Sequence, residues 1–550
     1  MRKFLVVAVF AFAILGMLAP PVFAQAPTPK VTITGLFDQA SGMSRNVQDG
    51  SFGRTSDREW YARTRFRPDF EFRVGRTSAV MGLEFDLTYG QVGASGAGPG
   101  KNQTVGTLGT SLAHPGTTSD SRLNTDTTGI VEIKWMYTEF DLTGKDSLLP
   151  FIPVLTVARA GLQPFAGIAA YKVTYATGDF AGVSALTTFD PTLKMNLAYV
   201  MVEDELAGGN RGTAGAATTI GAGFTAPTGK TTRGNDFAII ASPELTPIKG
   251  LDLKPLYSLF YAEGATSAAA RRAAADPRLA GGTTGAAATY DASRNTTNGS
   301  PAFHEYRHTI GVDARWRMGP WGLDPTFDYQ VGTRDVLGQN TRGSAQKIQT
   351  KVSAFFADVL GSFQAGPLLL EARGVYTTGN KANANLAQRI SYFEPLDQDT
   401  SYWAGWTSIL GLGVDYISGC SAGVLGMCDN IGYDRYGRAQ FGLRATYALT
   451  PALSVFGVTN PTWTAEKVDT STSVTRAHIT GPMVGDSRYI GVESTVGLTW
   501  RFAPNVAFDL TGSMLSAGSA LDTTEVLNGV PTKRKADDAY LGAARVRLSF

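Results

Sequence analysis

The chain has 550 residues, of which only 17% are charged and 63 are glycine, whereas a soluble protein of this size carries about 25% charged residues. Taking Arg2 and Lys3 from the 49 basic residues leaves 47, equal to the 47 acidic ones. A neutral chain of this kind argues against nucleic-acid binding as its main task.

The N-terminus reads as a secretory signal over residues 1–24. Arg2 and Lys3 form its basic start, Phe4 to Leu18 its apolar stretch, and Val22-Phe23-Ala24 its cleavage site, leaving 25–550 as one mature domain. The apolar stretch is short for a membrane anchor, which needs about 20 residues. Beyond Ala24 no uncharged apolar run is long enough for a helical span. An exported chain of this kind is either soluble or a β-barrel.

Val31 to Asp38 is the first expected strand, and no plug domain fits before it. From Ala62 to Val74 the residues alternate without a slip. Phe66, Phe70 and Phe72 share one face with Ala62 and Val74; Arg63, Arg65, Arg67, Asp69, Glu71 and Arg73 share the other. Period two is the side-chain repeat of a strand. After a turn at Gly75-Arg76, Met81, Leu83, Phe85, Leu87 and Tyr89 oppose Glu84, Asp86 and Thr88. Both strands are long enough to cross a bilayer at a tilt, for which ~9–11 residues suffice. The alternative is a hairpin of a soluble sandwich, which also has one wet face.

Further strands are expected at Ile130–Leu142, with a bulge near Glu139 where parity slips, and at Val154–Leu162, Gly182–Phe189, Leu193–Val202, Phe237–Ala241 and Leu251–Ala262. Gly264 to Pro301 is a long loop with a candidate surface helix at Ala268–Ala275. His304–Arg317, Leu323–Arg334, Val352–Gln364 and Leu368–Thr378 follow. Asn380 to Asp434 reads as a long outer loop with room for a hidden strand pair. Arg438–Tyr447, Leu453–Trp463, Arg488–Phe502, Val506–Leu515 and Asp538–Phe550 complete the set. The count is 18, with 16 as the alternative. Short turns and long loops alternate between the strands, the rhythm of an all-β, antiparallel up-and-down transmembrane β-barrel with short periplasmic turns and long extracellular loops. A soluble sandwich predicts no such rhythm.

The last strand places Tyr540, Val546, Leu548 and Phe550 on one face and Arg545 and Arg547 on the other. A terminal aromatic closing an amphipathic strand resembles the sorting signal of bacterial outer-membrane barrels. Tyr489-Ile490-Gly491-Val492-Glu493, the DDAY at Asp537 to Tyr540, and Tyr376-Thr377-Thr378-Gly379-Asn380 with Phe393-Glu394-Pro395-Leu396 are similar to segments of porin-like and alginate-export-type barrels. The resemblance implies a Gram-negative outer-membrane location. It also implies contact with the barrel-assembly machinery, lipid and lipopolysaccharide. Association with further copies of the chain stays open.

Nothing in the sequence assembles a catalytic constellation, a metal site or a cofactor site. His114, His304, His308 and His478 are scattered, and no HExxH pair or nucleophile elbow occurs. Gly96 to Lys101 fails the phosphate-loop pattern, because Ser95 precedes it and Asn102 follows the lysine. Asp397 and Asp399 read as a polar loop rather than a calcium site. Cys420 and Cys428 are expected to form a disulfide, since an exported chain passes an oxidising compartment.

Charge at the bilayer midplane costs roughly 2–4 kcal/mol, so the charged strand faces are expected to line the lumen. The candidates are Arg63, Arg65, Arg67, Asp69, Glu71, Glu84, Asp86, Arg307, Asp313, Arg315, Arg317, Asp328, Arg373, Arg444, Glu493, Arg545 and Arg547, together with Asp358, Glu371 and Asp509. Two readings stay open. Either acids and bases pair across neighbouring strands and hold the wall, or Arg545 and Arg547 join Arg63, Arg65 and Arg67 in a cationic stripe. The expected function is a porin-like channel for passive diffusion of small polar solutes, anions included. Its rivals are a channel for an acidic polysaccharide and a non-conducting surface barrel. The loop Gln163–Ala181 is the candidate for an inward constriction.

Overall fold

The computed structural model describes residues 28–46, 58–89, 131–165, 167–169, 171–172, 175–176, 178–203, 236–263, 304–339, 345–384, 388–396, 406–410, 436–471 and 484–550. The expected signal peptide, the Ala268–Ala275 segment, Asp397, Asp399, Cys420 and Cys428 lie outside them, as does the Asp86 side chain.

The strands are β1 (Lys30–Arg45), β2 (Arg58–Val74), β3 (Thr77–Tyr89), β4 (Val131–Thr143), β5 (Leu155–Pro164), β6 (Asp179–Asp190), β7 (Leu193–Glu203), β8 (Asp236–Ile248) and β9 (Leu251–Glu263). They continue with β10 (His304–Met318), β11 (Trp321–Gln339), β12 (Ala345–Ala365), β13 (Leu368–Thr377), the two-residue β14 (Arg389–Ile390), β15 (Arg438–Ala448) and β16 (Leu453–Val468). The last are β17 (Ser487–Ala503), β18 (Val506–Ala517), the small hairpin β19 (Thr523–Leu527) and β20 (Val530–Arg534), and β21 (Ala539–Ser549). Leaving aside β14, β19 and β20, 18 antiparallel strands pair neighbour to neighbour, and β21 joins both β18 and β1. The sheet is therefore closed, which removes every edge from the membrane-facing wall.

Period two decides which way each side chain points. Val31, Ile33, Phe37 and Met43 of β1 are exposed, while Asp38 is buried. In β10 and β11, Tyr306, Ile310, Phe327 and Tyr329 are exposed, whereas Arg307, Asp313, Asp328 and Arg334 are buried. An apolar outside around a polar inside is the arrangement a bilayer imposes. Tyr540, Val546, Leu548 and Phe550 all stand on the apolar outside, and the Phe550 ring meets Phe66 at 6.1 Å.

The expected strands are all present, but several run further than their alternation. β1 continues seven residues past Asp38, because Ala40 and Gly42 fill inward positions without polar side chains. β11 and β12 extend to Gln339 and Ala345, leaving only residues 340–344 between them where a longer loop is expected. Ladder hydrogen bonds need no apolar face once strands clear the membrane, so the hairpin outlasts its pattern. The irregularity expected near Glu139 falls at Asp141/Thr143 of β4 against β5, and a second register shift lies at Gly82/Leu83 against β4. Lys134 sits in the second of these irregularities. Tight turns close the short end. Gly319 and Gly366 adopt φ of 56° and 57° there, and Asn505 adopts 59°, a left-handed backbone that glycine and asparagine accept most readily.

Candidate functional site

Two segments on the long-loop side fold into the barrel. The first is 165–178, between β5 and β6, within the expected inward loop Gln163–Ala181. Its Phe165, Ile168, Ala169 and Tyr175 are buried against Phe180, Val200, Ile240 and Phe260. Asp313 on β10 accepts the backbone N–H groups of Tyr171 and Lys172 while Thr326 donates to its other oxygen. Lys172 Nζ reaches the carbonyls of Asp324 at 2.6 Å and Asp358 at 2.9 Å, and the Asp358 carboxylate at 3.4 Å. Burial lowers the pKa of this ammonium, and Asp358 and Asp313 pull it back only in part. Arg315 donates to the Tyr171 carbonyl at 3.1 Å and lies 4.3 Å from the ring centre. Tyr175 donates to Ser258 at 2.9 Å.

The second inward segment follows β13, in the region expected to be an outer loop with a hidden strand pair. Apart from β14, which pairs parallel to β12 as part of the wall, its described residues instead turn into the lumen. Gln330 holds Glu394 at both backbone groups, at 2.7 and 3.1 Å. The Glu394 carboxylate meets Arg334 at 2.6 Å and Arg307 at 3.1 Å, and both arginines also meet Glu305. Two bases and two acids thus form one buried cluster. Burial works against the Glu394 carboxylate, but Arg334 and Arg307 more than offset it and hold its pKa below the ordinary value. Further along, Glu493 accepts the N–H groups of Ser408, Ile409 and Leu410 at 2.5, 3.1 and 2.7 Å. Asn460 donates to the Trp406 carbonyl at 2.5 Å.

One device is used twice. A wall carboxylate, Asp313 or Glu493, captures consecutive backbone N–H groups of an inward segment, charge-assisted bonds roughly twice as strong as neutral ones. The two segments also touch each other, since the Leu396 N–H donates to the Tyr175 carbonyl at 2.8 Å.

The rest of the charged wall is organised differently. At barrel closure Arg63 lies 4.0 Å and Arg545 3.6 Å from Asp38, and Asp509 holds Arg547 at 2.6 Å and Arg545 at 3.4 Å. Beside it Glu84 gathers Arg65 at 3.0 Å, Arg67 at 2.5 Å and Lys134 at 3.6 Å, with Asp179 3.8 Å from Lys134. The arginines of the expected stripe are therefore neighbours, yet each has a carboxylate. Their ion-pair partners are Asp38, Asp509 and Glu84; Asp69 stands beside Arg67 without forming a close pair, and Glu71 is not among them. Glu71 pairs with Arg73 near the turn, and Asp69 stands opposite Gly82. Asp86 is in register with Arg65.

The remaining candidates are spread along the wall. Arg373 grips Asp358 with two bonds of 2.6 and 3.1 Å. Arg444 lies 3.8 Å from Glu371. Arg317 pairs with Asp324 near the short turn. Asp328 is buried opposite Gly311. Glu305, Arg334, Glu394, Lys172, Asp38, Lys134 and Asp179 are functional-site residues that the sequence-derived set omits. Glu305 and Arg334 already sit on the polar faces of β10 and β11, so strand parity alone could have added them.

No family model matches the chain, and no curated protein matches it. Among solved structures it is similar to a BenF-like porin from Pseudomonas fluorescens Pf-5, at 9% identity and a TM-score of 0.45, covering 95% of this chain and 98% of that one. Pseudomonas aeruginosa OccK8 (OprE) gives 10% identity and a TM-score of 0.44 over 95% and 98% of the two chains. Pseudomonas aeruginosa OprD gives 9% and 0.42 over 96% and 97%.

Proposed function

We propose that the protein is an outer-membrane channel for passive diffusion of small polar solutes, with anions favoured. One observation carries the reading: the inward segments dock against β6–β12 and β16–β17 and reach Leu515 and Leu541, whereas the rest of the wall formed by β18, β21 and β1–β4, with Asp179 of β6, presents two charged clusters to the interior. Among the described residues Arg63, Arg545 and Arg547 gather around Asp38 and Asp509, and Arg65, Arg67 and Lys134 gather around Glu84 and Asp179, with Asp69 also beside Arg67. An 18-stranded barrel is too wide for wall side chains alone to fill. Inward loops narrow it, and the charged wall offers a polar path beside them. Charged rings in a pore set ion selectivity, and the arginines gathered along this wall are the groups that would attract anions.

The test is single-channel recording from purified, folded protein in a planar bilayer. Discrete conductance steps are expected, with a reversal potential displaced toward anions in a salt gradient. Neutralising Arg63, Arg65 and Arg67 to glutamine is expected to move that potential toward cations. An absence of discrete steps contradicts the channel, and an unmoved potential removes the arginines from selectivity.

A further inference from the structure

On the outside of the barrel, two pairs of cations stand side by side with no acid within ion-pair distance among the described residues. Arg45 of β1 and Arg58 of β2 are directly opposite in register. Both are exposed, and strand parity puts them on the face that carries Met43, 66% exposed, and Phe72. Tyr540, also outward, is the residue opposite Arg45 on β21. On well-separated strands, Lys351 of β12 is in register with Arg389 of β14, and both are exposed. Arg389 donates to Ser353 Oγ at 3.2 Å, which is 3.0 Å from the outward Tyr329 hydroxyl. Neither pair has a carboxylate within ion-pair distance among the described residues. By contrast, the outward Arg488 has Glu466 at 3.4 Å.

Like charges directly opposite one another destabilise a strand pair. Both pairs occur at the long-loop end of the wall, just beyond the exposed apolar face. That is the level at which tyrosines and cations meet lipid headgroups. Guanidinium forks match phosphate oxygens in geometry and charge.

We infer that Arg45 with Arg58, and Lys351 with Arg389, form two clefts for the phosphate groups of a phosphorylated glycolipid of the outer leaflet, the acyl chains lying on the apolar wall below. The inference rests on the outer-membrane reading above. Each cleft closes when a phosphate oxygen bridges the two cations, turning a repulsive couple into a ternary ion cluster. Ser353 and Tyr329 supply hydroxyl donors at the second cleft.

The experiment uses the full folded protein in neutral detergent, titrated with bisphosphorylated lipid A and read by native mass spectrometry. Its variants are Arg45→Gln with Arg58→Gln, Lys351→Gln with Arg389→Gln, and all four together. Two lipid-binding events are expected for the unaltered protein. Each double variant is expected to lose one, with affinity there falling on the order of tenfold. Dephosphorylated lipid A is expected to bind no better to the unaltered protein than to the fourfold variant. Unchanged binding by the fourfold variant overturns the proposal. So does equal binding of the dephosphorylated lipid, or displacement of lipid A by an equal concentration of inorganic phosphate. Heat-modifiable electrophoretic mobility shows that each variant is folded. Conductance is recorded separately: a protein that binds lipid A as expected but never conducts removes the channel reading and leaves the clefts standing.

Discussion

The inner wall has two halves, and they are built from different residues. Along β7–β9 and β12–β13 the inward positions include Ala198, Val200, Ala238, Ile240, Leu256, Phe260, Ala354, Phe356 and Val375, all buried. These are the positions on which Phe165, Ile168, Phe393 and Leu396 pack. Along β18, β21 and β1–β4 the inward positions carry Asp509, Arg545, Arg547, Asp38, Arg63, Arg65 and Glu84, and only toward the long-loop end do Leu515 and Leu541 join an apolar cluster with Ile409 and Leu410. A closed barrel full of water has no use for apolar side chains on its inside, so an apolar inner patch marks where a loop must cover it. Where the inner wall stays charged, the polar path has its wall. In the proposed channel the covered half sets the width of the passage, and the charged half sets its selectivity.

The largest effect expected from breaking this division is at Glu394. Replacing it with glutamine leaves Arg307 and Arg334 buried with Glu305 as their one remaining partner in the cluster. Removing one member of a buried ion cluster costs about 3–5 kcal/mol. The inward segment is expected to leave the wall, raising single-channel conductance and speeding hydrogen exchange at the Glu394 and Leu396 N–H groups. Conductance and exchange that stay unchanged would show that the covered half does not depend on this cluster.

Acid is expected to act through the same group. The Glu394 pKa is depressed on docking, so its contribution is complete above the ordinary carboxylate range. It is lost as pH falls below that range toward the depressed value. Exchange protection of the segment should therefore decline on acidification and stay flat through neutral pH. A decline only on raising the pH would contradict the assignment.

Glu493→Gln is the next smaller break. The amide oxygen still accepts hydrogen bonds, but three charge-assisted bonds become neutral, at a cost of about 1–3 kcal/mol. Faster exchange at Ser408 to Leu410, with residues 389–396 less affected, is the expected outcome. On the charged half, Arg547→Gln is expected to shift the reversal potential modestly while leaving the thermal transition almost in place, because Asp509 keeps Arg545. The smallest effect is expected at Arg73→Gln. This arginine is exposed beside Glu71 near the short turn, and such pairs contribute about 0–1 kcal/mol.

How much of this was legible in the sequence follows from the same contrast. Strand parity is local, so the 18 strands, their outward faces and the neighbourhood of Arg63 and Arg545 could be read from alternation and from closure. The inward segments depend on partners far apart in sequence: Asp313 with Tyr171, Gln330 with Glu394, and Glu493 with Ser408. No periodicity encodes those meetings. For 165–178 the position between strands was enough, but the region after Thr378 gave only an irregular run of apolar and aromatic residues. The usable signal lay elsewhere, in β7–β9 and β12, where Val200, Ile240 and Phe356 occupy positions that parity assigns to the inside. The pairing of the stripe arginines was legible in part: Arg65 and Arg67 meet Glu84 across the β2–β3 hairpin and Arg63 meets Asp38 across β1–β2, the cross-strand pairing that the sequence allowed. Asp38 and Asp509 come from strands at opposite ends of the chain, brought together only by β21 closing on β1.

The most direct test of the central claim is the reversal potential of single channels in a salt gradient, measured for the unaltered protein and for the variant with Arg63, Arg65 and Arg67 all changed to glutamine. Discrete steps in both, with the potential moving toward cations in the variant, are the predicted result. Discrete steps with an identical potential in the two proteins would contradict the account, because the passage would then not run along the charged half of the wall.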